Sequence, residues 1–423
     1  MKNIKKHRLI LINSLFIIIP LSLILGNLFT NLNIILLCFS VFIFYCKEII
    51  KFKVNFLDKI ILIFFFYTLL TLVINFFGNY INNEVFPEFI IIKTFSYLRY
   101  LALYLVIRFL MNQEILKVDW FTLTCACCAA FVCFDIFFQF FVGKDIFGIE
   151  PISTRKYSGV FGGELIAGGY LQKFALFSFF LPFVLKKKFF YKISAQFFFF
   201  IIFMFGIILS GNRMPFFLYI FSFLIFMLLN KELRRYFFTF FIISSLLLIL
   251  IYKVSPNFRL NVGSFYTNGK NLIEAFAIKD ITREPLVVAQ RPYVVEFHCF
   301  KHIWKQSPIF GGGVRYYRTY HGGCNTHPHN YYFEILTDLG VVGLSIILIF
   351  LFMLLYKIYT KKTNISKFDL ITLDNKIMPF FLIFFMEFFP FRTSGSFFTT
   401  NNATVIFIVL AILVSMISRK KLL

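Results

Sequence analysis

The sequence predicts an all-α polytopic integral membrane protein of about 12 transmembrane helices, with one large outer loop before the tenth helix. Three observations carry this. Of the 423 residues 59% are hydrophobic, 67 of them Phe, and the mean hydropathy is +0.81. The apolar residues come in blocks of roughly 20, the length a helix needs to cross the hydrocarbon core. Basic residues gather at alternate block ends, while one connection, 253–331, is far longer than the others.

The blocks lie at 9–28, 31–46, 60–77, 89–111, 120–142, 166–185, 195–211, 214–229, 236–252, 335–356, 377–391 and 403–418. The first is longer than a signal-peptide h-region, lacks a small-residue cleavage site and runs directly into a second block, so it reads as a retained helix. The chain thus divides into N-terminal helices over 1–252, a loop over 253–334, and C-terminal helices over 335–423.

A net charge of +23 would suit a nucleic-acid binder, but its placement excludes that reading. With Met1 in the cytoplasm, more than half of the 43 basic residues fall at cytoplasmic block ends. Examples are Lys2, Lys5, Lys6 and Arg8, then Arg108, then Lys186 to Lys188, then Arg419 to Lys421. This positive-inside bias puts both termini in the cytoplasm. The long loop is exempt from that rule, yet its basic residues outnumber Glu274, Asp280, Glu284 and Glu296. An anionic ligand or an anionic lipid surface would account for the excess. Arg suits a diphosphate best, because its planar fork binds bidentately.

Six of the eight cysteines sit in apolar blocks and act there as small hydrophobes. Cys125 and Cys128 have CxxC spacing but no βαβ context that would make them redox-active. Cys299 and Cys324 share the outer loop, where a disulfide is open to them. His298 and His302 have a helical metal spacing without an accompanying HExxH pattern.

Four clusters at block edges carry candidate chemistry. Arg155 and Lys156 lead into a Gly-bearing turn, Ser158 to Glu164. Ser210-Gly211-Asn212-Arg213 forms a polar hinge almost without a loop, and an Arg so close to hydrocarbon faces a cavity or a partner. In the long loop, Arg291 precedes an amphipathic stretch, Tyr293 to Gln306. After it, Gly311, Gly312 and Gly313 stand before Arg315, with amides that could face an anion or sugar. Last comes His327-Pro328-His329-Asn330, with Glu334 about a helical turn further on, where the chain enters the tenth block. An imidazole with an ordinary pKa of ~6.5 suits a general base at neutral pH.

In order and spacing these clusters resemble the O-antigen ligase family and its O-antigen-polymerase-like relatives among membrane glycosyltransferases. His329-Asn330 is followed by nine residues and then Gly340. Ser210 to Arg213 resembles the family's Ser-x-x-Arg element. Arg291, Trp304, Pro308 and Gly311 to Gly313 resemble its Arg…Trp…Pro-x-x-Gly-x-Gly pattern. Glu164 departs from the family's Asn-containing stretch. The resemblance spans about residues 150–350 and implies a bacterial inner-membrane protein with a periplasmic active site. It implies transfer of a glycan from undecaprenyl diphosphate to an acceptor hydroxyl, on lipid A core or another glycan, without nucleotide, metal or other cofactor. By that resemblance His329, Asn330 and Glu334 are the catalytic group. Arg155, Arg213 and Arg291 hold the diphosphate, and His327, Gly311, Gly313, Arg315 and Lys156 form a substrate loop. The expected partners are the lipid-linked donor, the acceptor and membrane lipids, with no nucleic acid. A polymerase joining lipid-linked repeats is the alternative. A transporter of such lipids fits less well, since no internal repeat is evident and the charges gather at the outer edge.

Overall fold

The computed structural model describes residues 2–81, 86–153, 156–185, 189–230, 233–254, 292–320, 324–360 and 375–418, with isolated positions between 256 and 270. Among these residues regular structure is helical, apart from one isolated bridge between Ser153 and Lys156. Helices α1 (Lys2–Ile17) and α2 (Ile19–Leu25) are two limbs of one element bent by 47°. Pro20, which removes a helix hydrogen bond, sits at the break. Gly26, at φ +103°, turns the chain into α3 (Asn27–Ile50). There follow α4 (Phe56–Ile81), α5 (Glu88–Asn112) and α6 (Val118–Val142).

The sixth apolar block is not one helix. It breaks into α7 (Ala167–Phe174), a 3-10 turn (Ala175–Phe180) and α8 (Leu181–Val184), the last with Pro182 in its first turn. Helices α9 (Phe189–Leu209), α10 (Arg213–Leu229) and α11 (Phe237–Val254) complete the N-terminal set. In the loop α12 (Pro292–Gln306) forms where an amphipathic helix is expected. The chain ends with α13 (Tyr331–Thr360), α14 (Met378–Glu387) and α15 (Thr400–Ser418).

Seven of the described helices are long and apolar enough to cross a membrane, eight if the bent α1–α2 pair counts as one span. The protein is therefore a polytopic membrane protein. Arg213–Leu229 and Met378–Glu387 are shorter apolar helices, so an apolar run did not always yield a full-length span. Burial separates the long ones. The apolar window of Thr400–Ser418 is 89% buried, whereas that of Arg234–Val254 is 11% buried and turns its side chains outward. Helix α15 is the central post of the bundle. Its Phe407 packs on Phe65 of α4 (5.1 Å) and on Tyr97 and Tyr100 of α5.

One basic residue assigned above to a cytoplasmic block end is buried there in an ion pair. Arg108 is buried in the bundle, its Nε and Nη2 donating to the two carboxylate oxygens of Asp58 at 2.7 and 2.8 Å. It is a structural partner of α4, because Asp58 stands beside it on the neighbouring helix.

Candidate functional site

The His segment is set by the N-terminus of α13. Asn330 caps that helix, its Oδ1 accepting from the amides of Tyr332 (2.9 Å) and Phe333 (3.2 Å). Its Nδ2 donates to the carbonyls of Pro390 and Arg392, tying α13 to the loop after α14. The Asn330 side chain is thus engaged with backbone on both sides, and it anchors its neighbour. That neighbour, His329, sits at φ +50°, a left-handed conformation rare for a residue with a side chain. Its ring lies 4.2 Å from that of His327.

On the other side of His329 stands a carboxylate that sequence reasoning passed over. Oε1 of Glu296, on α12, lies 3.5 Å from Nε2 of His329. Glu296 is buried and accepts a 2.8 Å hydrogen bond from Asn325. A disulfide between Cys299 and Cys324, Cα atoms 5.8 Å apart, fastens α12 to the strip that carries Asn325. Burial raises the Glu296 carboxyl to about 7 and lowers both imidazoles. His327 falls to about 3, because His329, Arg318 and Arg315 also oppose its protonation. His329 is therefore neutral near pH 7 and able to accept a proton.

Glu334 does not reach this pair. It is buried one turn into α13 and accepts from Ser396 Oγ and from the Phe397 amide, both at 2.5 Å. It clamps α13 to the loop before α15, and the carboxylate beside His329 is Glu296 instead.

The Gly run also has a different job from the one its amides suggested. The amides of Gly311, Gly312 and Gly313 donate to Ser307, Thr337 and Asp338 carbonyls at 3.0, 3.0 and 2.8 Å. All three are engaged within the protein's own backbone. What the glycines permit is close approach to a kink in α13 at Gly340, φ +65°. A Cβ on Gly340 would stand 2.1 Å from the Ile309 carbonyl oxygen, and one on Gly311 would stand 2.4 Å from the Leu339 amide. The Pro308–Gly313 strip and the Gly340 kink are two halves of one joint. Asp338 completes it by accepting from the Arg315 and Tyr317 amides at 2.7 and 3.0 Å.

Beside this joint lies a cavity of about 680 Å³, walled by the α2–α3 bend, α5, α7, the Arg315–Arg318 turn and the loop between α14 and α15. Lys93, Arg99, Lys173, Arg315, Arg318 and Arg392 line it, with Glu164 as the carboxylate in the wall. His327 lines it too, so His329 stands one imidazole ring away from the cavity. Lys173 and Arg392 share Glu387, whose Oε1 lies 3.3 and 2.7 Å from their nitrogens. Arg99 and Arg318 each keep a buried Nε without a hydrogen-bond partner among the described residues.

The expected diphosphate residues fare unevenly. Arg155 and Arg291 lie outside the described residues. Arg213 opens α10 between Asn212 and Pro215, which line the cavity while Arg213 does not. Asn212 Oδ1 accepts from the Gly168 amide (3.1 Å), so this hinge seats the start of α7. Lys156 is exposed and away from the lining, whereas Arg315 is in it. Lys93, Arg99 and Lys173 were missed, although an ionisable side chain inside an apolar block is itself the signal of a site. His298 and His302 find no metal set: among the described residues no group of three or more His, Cys, Asp or Glu could hold an ion.

The described residues thus place a His pair beside a cation-lined cavity within an apolar helical bundle. Residues 197–348 match the family model described as O-antigen ligase, which supports likeness to an O-antigen ligase-like family over this stretch. No match is found among curated proteins. The matched span begins within α9 and takes in the hinge before Arg213, α12, the Gly joint, the His segment and the Gly340 kink.

Proposed function

We propose that the protein is an inverting glycosyltransferase that moves an O-antigen-type glycan from undecaprenyl diphosphate to a hydroxyl of lipid A core. The observation that carries this reading is the adjacency of His329 to a cavity with six basic side chains in its wall. A diphosphate is a good leaving group and needs no general acid, so the site must hold two phosphates and take one proton. Lys93, Arg99, Arg315 and Arg318 hold the diphosphate, with Arg213, Arg155 and Arg291 as further ligands. His329 removes the acceptor's proton, the freed oxygen attacks the anomeric carbon, and the carbon–oxygen bond to the diphosphate breaks with its electron pair on phosphate. Lys173 and Arg392, which share Glu387, shape the wall. The disulfide supports an oxidising, periplasmic face for the loop, with both termini cytoplasmic.

The purified chain in nanodiscs, given undecaprenyl-diphosphate-linked glycan and acceptor, should transfer the glycan. His329→Ala should lower the rate by about 10²- to 10⁴-fold while inserting normally. Wild-type rates from that variant would sink the assignment. The acceptor is read from surface polysaccharide of a deletion strain. Loss of all attached glycan indicates a ligase and a single attached repeat indicates a polymerase. Carrier-linked glycan stranded on the inner leaflet indicates a transporter.

A further inference from the structure

Three features of the loop converge on Glu296. It is a buried carboxylate with its Oε1 towards Nε2 of His329 at 3.5 Å. Asn325 holds the same oxygen, and the Cys299–Cys324 disulfide joins the two strips on which Glu296 and Asn325 stand. Helix α12 is seated on α13 by aromatic packing, Phe300 stacking on Phe333 with ring centroids 4.2 Å apart. The carboxylate and the imidazole are therefore fixed by separate supports. A buried carboxylate left beside a base by this much scaffolding needs a reason, since burial alone opposes its ionised form.

We propose that Glu296 is the positioning residue for His329: it accepts a hydrogen bond from Nε2–H, which leaves Nδ1 as the basic nitrogen facing the acceptor hydroxyl, and it stabilises the imidazolium formed when the acceptor's proton arrives. The idea rests on the glycosyl-transfer reading above. The proton leaves the acceptor oxygen for Nδ1, the oxygen's electron pair makes the new glycosidic bond, and the diphosphate departs with the old one. The positive charge stays on the ring between Nδ1 and Nε2, next to Glu296, until the proton passes to water. The opposite arrangement would fail electrostatically. The ring beside His329 is His327, on which Arg318 and Arg315 act against protonation, so charge arriving from that side would be opposed. Among the described residues the carboxylate that pairs with the His329 ring is Glu296, and it can offset an imidazolium. The 3.5 Å separation is loose for a hydrogen bond and would tighten as the ring becomes charged.

The test uses the full chain in nanodiscs with ¹⁵N-labelled histidine, the His329 signals being assigned with His329→Gln. Glu296→Gln keeps the shape and the contact to Asn325 but removes the charge. It should lower the His329 titration midpoint by about one pH unit. It should also reduce kcat by about 10- to 100-fold with the donor KM unchanged, and move the acid limb of the rate profile to lower pH. Glu296→Asp should restore part of the rate. If wild type transfers glycan and Glu296→Gln leaves both the His329 titration and the acid limb unmoved, the inference is overturned and Glu296 is merely a packed acid. If wild type transfers no glycan although the titration moves, the transfer reading is overturned, and with it the role given to the pair.

Discussion

Helix α5 carries arginines of two kinds. Near its C-terminal end Arg108 is 1% exposed and paired bidentately with Asp58, itself fully buried. The remaining contacts are filled as well, with Nη1 on Ser415 Oγ (2.6 Å), Tyr104 OH on Asp58 Oδ1 (2.7 Å) and the Asn55 amide on Oδ2 (2.8 Å). About two turns and more towards the N-terminus, Arg99 and Lys93 face the cavity among further cations. Arg99 contacts a carbonyl and hydroxyls, at Ser96, Tyr100 and Thr400, and its Nε has no hydrogen-bond partner among the described residues. One end is a closed circuit in which each charge meets its opposite. The other holds a surplus of one sign over open volume. Inside a membrane protein charge is costly in either case, so a matched charge marks structure and an unmatched cluster marks a ligand.

This contrast can be broken from either side. The largest effect should come from Arg108→Ala, which strands a buried carboxylate and should cost about 3–5 kcal/mol. Thermal unfolding in detergent, or the yield of inserted protein, would read it. A loss no larger than that from a cavity arginine would undo the comparison. An intermediate outcome is expected for Glu387→Gln, since Glu387 holds Lys173 and Arg392 and accepts from Tyr331 OH at 2.8 Å. There the fold should lose about 2–3 kcal/mol, because two cations would be left without their carboxylate. The smallest change in stability should follow Arg318→Ala. Unfolding should move by no more than about 0.5 kcal/mol, while the donor KM rises about 10-fold through loss of one charge-assisted contact. Unchanged KM with intact folding would remove Arg318 from the diphosphate site.

Much of the bundle was legible in the chain. The apolar runs fall on helices, and α12 covers the amphipathic stretch expected within the loop. Span number was harder to read, because hydropathy does not register a break such as that between α7 and α8, where a 3-10 turn and Pro182 interrupt an apolar run. In the site, the His329–Gly340 spacing was visible but its meaning was not. Gly340 is required because the Ile309 carbonyl docks against its Cα, a contact between segments about 30 residues apart.

The sequence by itself determined that this chain lives in a membrane, that its loop gathers positive charge, and that a His-Asn pair guards the entry to α13. Those properties follow from residue type and local order. Tertiary structure decided the partners. It gave His329 to Glu296 and Glu334 to Ser396, closed Arg108 on Asp58, and left Lys93, Arg99 and Arg318 over a cavity. Ion pairing depends on which helices stand side by side at the same depth. That is a property of the packed bundle and is absent from any single apolar run.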